Sequence, residues 1–202
     1  VKAVEAECRR QIAAAPLLAA IGERAGTRHR GTMEPSDVSM RVIADHMRAM
    51  TCLIADGVVP SNEWRGYVLR KIMRRAMRHG KKLGFTQPIL YQLVDVVVGE
   101  MGEAYPELRQ NRESIVRVVR SEEDRFDAVL TNGLPKLEEA LDRAAAGNRV
   151  VPGDEAFRLY DSLGVPYDFM EDLAGQRQLT IDKPGYDKAM EGQKAKGRAG
   201  SA

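Results

Sequence analysis

Apolar residues recur along this chain at spacings of three, four and seven, and almost nowhere alternate as a half-buried strand would require. Val38, Val42, Ile43, Met47, Met50, Leu53 and Ile54 fall near one face of a helix that Ser36 or Asp37 can cap and Gly57 can end. A tight link follows, Val58 to Asn62, in which Pro60 disfavours helix at Val59 and Ser61 or Asn62 offers an oxygen to cap the next helix. In that helix, Glu63 to Leu83, adjacent pairs Val68/Leu69, Ile72/Met73 and Ala76/Met77 repeat every fourth residue and so share a face. Residues 87–101 form a more apolar helix closed by Gly102. Pro106 suits the first turn of a long helix with the seam Ile115, Val119, Phe126, Leu130, Leu137 and Leu141, at alternating spacings of four and seven. The run Asn132-Gly133-Leu134-Pro135 either kinks this helix or splits it in two.

The flanks carry weaker patterns. Pro16 separates two short helical pieces, and Gly26 to Pro35 is a charged loop. Gly147 to Gly153 reads as a linker, after which Asp154 caps a short helix that Gly164 and Pro166 end. Asp168 with Glu171 makes a capping-box-like start for another. The Gly- and Lys-rich tail beyond Lys183 is expected to fray. The predicted fold class is all-α, a helical bundle of about six to eight helices with one long central helix and room for two subdomains. The predicted divisions are 1–35, an N-terminal helical remnant; 36–146, the main helical domain; 147–182, a short-helix subdomain; and 183–202, a basic tail.

Composition supports helices, since aromatics make up only 5% of the residues. Charge changes the picture locally, not globally. Lys and Arg (31) nearly balance Asp and Glu (29), but Arg70, Lys71, Arg74, Arg75, Arg78, Lys81 and Lys82 fall opposite the apolar face of their helix. This predicts a continuous positive stripe on the solvent side, which matches a row of phosphates; the plainer reading is a solvated face that aids solubility. Cys8 and Cys52 lie far apart without metal-ligand spacing, which fits a reducing, cytoplasmic setting. The sequence predicts no membrane span and no signal peptide. Phosphate-loop, nucleophile-elbow and zincin motifs are missing, and His46 and His79 read as structural. Asn62 offers both a donor and an acceptor at the head of the basic helix, where it can cap the helix or meet a base.

The stretch RVIADHMRAMTCLIADGVVPSNEWRGYVLRKIMRRAMRHGKKLG (41–84) closely resembles the segment of alanyl-tRNA synthetases that joins the catalytic domain to the tRNA-binding helices. A second stretch, AFRLYDSLGVPYDF (156–169), resembles a later element of the same family, in the same order and at a fitting distance. The similarity extends from about Leu17 to about Lys194. It implies a helical region that grips the acceptor stem of tRNA-Ala and detects its G·U wobble pair. By position, Asn62 and Asp161 match the residues that hydrogen-bond to that pair. For Asp161 the residue type alone would indicate a surface carboxylate or a partner for Arg158. Arg65, Arg70, Arg74, Arg75 and Arg78 would be RNA backbone contacts. Trp64 stands where the family more often has a small or polar residue, and could stack on RNA or pack.

The resemblance further implies that the parent enzyme is a class II alanine–tRNA ligase using ATP and Mg. The catalytic sheet of that class has no counterpart here, so this chain alone is expected to be inactive and to hold no cofactor or metal. Zinc would belong only to the missing editing domain. The start at Val1 fits truncation, with the catalytic domain in cis or on a separate chain. The alternative is a free-standing RNA-binding adaptor derived from the synthetase, and a plainer one is a helical scaffold whose stripe meets an acidic protein.

Overall fold

The computed structural model describes residues 16–199, with side chains to 193. The predicted remnant before Pro16 lies outside the described residues. Helices dominate: α1 (Pro16–Ala25), α2 (Pro35–Ala55), α3 (Trp64–Lys82), α4 (Leu90–Met101), α5 (Pro106–Gln110), α6 (Arg112–Ala128), a π-helical turn (Val129–Gly133), α7 (Leu134–Ala146), α8 (Gly153–Leu163), α9 (Tyr167–Gln176) and α10 (Lys183–Ala199). Two two-residue strands, β1 (Val150–Val151) and β2 (Thr180–Ile181), complete the order. The fold is all-α, as expected. No helix among the described residues is long and apolar enough to cross a membrane.

The chain forms two compact units, Val1–Asp127 and Ala128–Ala202. The boundary between these units falls after Asp127, whereas the division predicted from sequence lies after residue 146. The reason lies in α7, whose Leu137, Leu141 and Ala144 are buried and which packs with β1 and α8. Helical structure nevertheless runs on from Arg112 to Ala146. Of the two alternatives at Pro135, the split is not seen: a π turn carries the helical backbone through this segment. Pro135 sits in the first turn of α7, where its missing N–H is best tolerated.

In the first unit α2 is the central element, packed against α1, α3, α4 and α5. Its buried side chains are Met40, Ile43, Ala44, Met47, Met50 and Ile54. Val38, Val42 and Leu53, placed on this face by periodicity, are only half-buried. The expected cap is also corrected. Helix α2 starts at Pro35, and Asp37, almost fully buried, turns back to accept hydrogen bonds from the Arg30 amide (3.1 Å) and from the Thr32 amide (2.7 Å) and hydroxyl (2.8 Å). Burial pushes its carboxyl up, but these donors outweigh burial and hold it below its ordinary pKa. The charged loop is thereby tied to the helix it precedes.

Helix α6 carries two adjacent buried acids. Glu123 accepts from the backbone amides of Ile89 (2.9 Å), Leu90 (2.8 Å) and Tyr91 (2.9 Å), capping α4 from a distant part of the chain. Burial raises its pKa against the pull of these three bonds. Glu122 pairs instead with Arg70 of α3 (3.0 Å).

In the second unit the predicted linker contains β1, which pairs in parallel with β2 in the register Val150↔Thr180 and Val151↔Ile181. Helix α8 ends as predicted at Gly164, whose φ of +68° suits glycine, while the Gly164 and Val165 amides return to Tyr160 and Leu159. Asp154 and Asp168 both lie one residue inside their helices instead of capping them. The tail expected to fray is helical. Asp182 accepts from the Gly185 amide (3.0 Å), Pro184 fits the first turn, and Tyr186 is buried where α10 packs on α8.

Replacing Glu123 by Ala strands three amides at the head of α4, and a loss of about 3 kcal/mol in unfolding free energy is expected by urea denaturation. A change below about 1 kcal/mol would show that solvent satisfies these amides equally well.

Candidate nucleic-acid interface

The corner between α2 and α3 is built by local backbone chemistry. Helix α2 closes at Asp56–Gly57, with the Gly57 and Val58 amides returning to Ile54 and Leu53. The sequence offers Ser61 or Asn62 as the cap of α3; instead the Ser61 hydroxyl donates to the Glu63 carbonyl (2.8 Å) and accepts from the Glu63 amide (3.3 Å). Neither Ser61 nor Asn62 caps the helix, which begins at Trp64 after Glu63. A Cβ at Gly66 would collide with the Ser61 side chain and the Val59 carbonyl, so only glycine lets the corner fold onto the first turn of α3. Pattern reading missed this residue, although a glycine inside an otherwise strong helix was the available signal.

The corner surrounds a cleft of about 350 Å³ lined by Val58, Ser61, Glu63, Trp64 and Arg65. Trp64 is 89% exposed and holds a φ of +51°, a left-handed conformation that bulky residues rarely adopt. Val59 and Val68 are also exposed, giving the corner an apolar surface beside its charges.

Asn62 is exposed, and its Oδ1 accepts a hydrogen bond from Nη1 of Arg70 at 2.5 Å. Arg70 is not on the solvent face. Its Nε donates to Glu122 Oε1 at 3.0 Å and its Nη2 to Oε2 at 3.4 Å. The continuous positive stripe predicted for α3 is thus corrected. Arg70, Arg74, Arg78 and Lys81 are half-buried or buried on the line nearest the core. Arg74 lies over the Phe126 ring (5.1 Å) and Lys81 pairs with Asp127 (2.9 Å). Arg65, Lys71, Arg75 and Lys82 are exposed. Of the five arginines singled out by sequence, Arg65 and Arg75 are presented to solvent, while Arg70, Arg74 and Arg78 are not.

On the same helix, buried His79 shares a hydrogen bond with Ser39 (Nδ1 to Oγ, 3.0 Å). Burial, then the positive charges of Arg78, Lys82 and Arg75, lower its pKa to about 4. His46 contacts Asp45 (3.1 Å), and burial lowers its pKa as well. Among the described residues no three His, Cys, Asp or Glu side chains group as metal ligands would.

In the second unit Asp161 lies on α8 and is exposed. Its candidate partner Arg158 is paired with Asp154 (3.0 Å), and no described side chain engages the Asp161 carboxylate. Elsewhere in this unit Phe157, Tyr160 and Tyr186 form an aromatic cluster with centroids 6.0 to 6.4 Å apart, Tyr186 meeting the other two rings edge-on.

The class of this protein follows from comparison with known families. A model described as tRNA synthetases class II (A) matches residues 3–202, and the chain belongs to that family. Its relatives narrow the class further. It is 48% identical over 178 residues to the alanine–tRNA ligase of Nitrosospira multiformis, covering 88% of this chain and 20% of that protein. It is 50% identical over 169 residues to the alanine–tRNA ligase of Stenotrophomonas maltophilia, covering 84% and 19%. For the alanine–tRNA ligase of a Caulobacter species the values are 48% over 183 residues, covering 91% and 20%. The chain spans about a fifth of the length of these relatives.

Two outcomes follow from this geometry. His79 binds a proton less readily in the folded protein than in the unfolded chain, whose ordinary value is 6.5. Its contribution to stability is complete above about pH 6.5 and declines as pH falls toward 4, by about 3 kcal/mol in total. Denaturation of the wild type and of His79→Gln across that range should show the difference; parallel pH profiles would refute it. Trp64→Gly relieves the left-handed backbone with little packing loss, and should raise the unfolding free energy from urea denaturation by up to about 1 kcal/mol. A destabilisation of that size would mean that the indole contributes packing.

Proposed function

We propose that this chain is the RNA-engaging helical part of an alanine–tRNA ligase, binding the acceptor stem of tRNA-Ala and reading its G·U wobble pair. The observation that carries the reading is identity of 48–50% with alanine–tRNA ligases over 84–91% of the chain. In the whole enzyme, ATP-dependent attachment of alanine, with ATP and Mg, belongs to a catalytic domain in cis or on a separate chain. The setting proposed is the cytoplasm.

Asn62 and Asp161 are the proposed base readers. The Asp161 carboxylate, lacking any described partner, can accept from the exocyclic amino group of guanine, and a side-chain amide can complement a neighbouring base edge. A wobble pair displaces these groups from their Watson–Crick positions, so a donor and an acceptor matched to the displaced groups distinguish it from G·C. Exposed Arg65 and Arg75, with Lys71 and Lys82, are proposed as phosphate contacts that add affinity without sequence information. Arg70 and Arg74, half-buried, and Arg78, buried, offer less accessible charge for that role.

Binding of the 202-residue chain to acceptor-stem hairpins bearing G·U or G·C tests the reading. The wild type should prefer G·U, and Asn62→Ala and Asp161→Ala should each erode the preference by roughly tenfold. Arg75→Gln should weaken both hairpins alike and flatten the salt dependence. Equal binding of the two hairpins by the wild type would overturn the assignment, and alanine-dependent ATP–pyrophosphate exchange by this chain would overturn the placement of catalysis elsewhere.

A further inference from the structure

We propose that Arg70, anchored by the buried carboxylate of Glu122, is a positioning residue that holds the Asn62 amide with its oxygen inward and its NH2 group turned to the RNA. This deepens the reading of Asn62 given above and rests on it.

Three bonds from one guanidinium make the device. Nε and Nη2 of Arg70 grip the two Glu122 oxygens at 3.0 and 3.4 Å, and Nη1 donates to Asn62 Oδ1 at 2.5 Å. The side chains of Glu122 and Arg70 are 5% and 15% exposed, so the anchor is shielded from competing water. The chemistry also settles which end of the amide faces inward. A guanidinium has donors and no acceptor, hence only the oxygen of Asn62 can face it. The outward group is then NH2, a donor.

Fixing the amide assigns its half of the recognition. Asn62 offers N–H donors to an acceptor on a base edge, whereas Asp161 offers acceptors to a donor. A free asparagine could rotate its amide and satisfy either kind of base group, losing discrimination as well as the entropy of ordering on binding. Arg70 therefore contributes selectivity without touching RNA. Lysine could not replace it, because one ammonium cannot span Glu122 and Asn62 with the geometry of the planar fork.

The test uses the 202-residue chain and two independent readouts. Side-chain 15N relaxation of the Asn62 NH2 group, without RNA, should report an ordered amide in the wild type and a mobile one in Arg70→Lys and Glu122→Gln. Arg70→Lys keeps the charge opposite Glu122 and so guards against loss of the fold. In hairpin binding, Arg70→Lys should reduce the G·U over G·C preference by roughly tenfold, and adding Asn62→Ala should reduce it no further. The proposal is overturned if the amide is equally mobile with and without Arg70. It is overturned too if Arg70→Lys weakens both hairpins equally with their ratio intact, the signature of a phosphate contact. If the amide is loosened as expected but Asn62→Ala leaves the ratio unchanged, positioning stands and the assignment of Asn62 as a base reader falls.

Discussion

Two neighbouring carboxylates on one helix organise the first unit. Consecutive residues of an α-helix point about 100° apart, so Glu122 and Glu123 of α6 reach different elements. Glu122 meets Arg70 of α3, and Glu123 meets the amides at the head of α4. Burying an acid is costly unless charge and donors compensate it, which makes each contact demanding in geometry. Helices α3 and α4 must arrive at the right angle and register or leave a carboxylate stranded. Apolar packing among Met40, Met47, Met50 and Met73 is less exacting, because methionine adapts to irregular space.

This arrangement divides the cations of α3 between structure and surface. Residues 70, 74, 78 and 81 follow one line of the helix, and 71, 75 and 82 the next. The first line is turned toward Glu122, Phe126 and Asp127 of α6, so its charge is largely spent within the unit. The second is exposed to solvent. A near-neutral chain can in this way keep a positive rim without carrying a large net charge.

Much of the fold was legible because it is local. The stops at Gly57 and Gly164 and the apolar repeat of α2 and α3 are properties of adjacent residues. The α6 seam held a signal that went unread: the gap of seven between Val119 and Phe126 is occupied at its expected core position by Glu122. Its partner lies 52 residues away, and spacing within one helix cannot name it. Strands of two residues are too short to carry a period, so β1 and β2 could not be foreseen. Asp182-Lys183-Pro184-Gly185 has the composition of a loop, yet the same residues begin a helix. The candidate readers came from family resemblance, since an exposed Asn or Asp has no signature of its own. The inward turn of Arg70, Arg74 and Arg78 needed α6 in place to be seen.

The exposed indole at the corner has a practical consequence. Trp64 is the only tryptophan in the chain, and folding already leaves it in water. Its emission will therefore differ little between the native and unfolded states, making intrinsic fluorescence a poor gauge of global unfolding. The same isolation makes it a local optical reporter: a spectral shift or quench in this protein signals that something has covered the turn between α2 and α3.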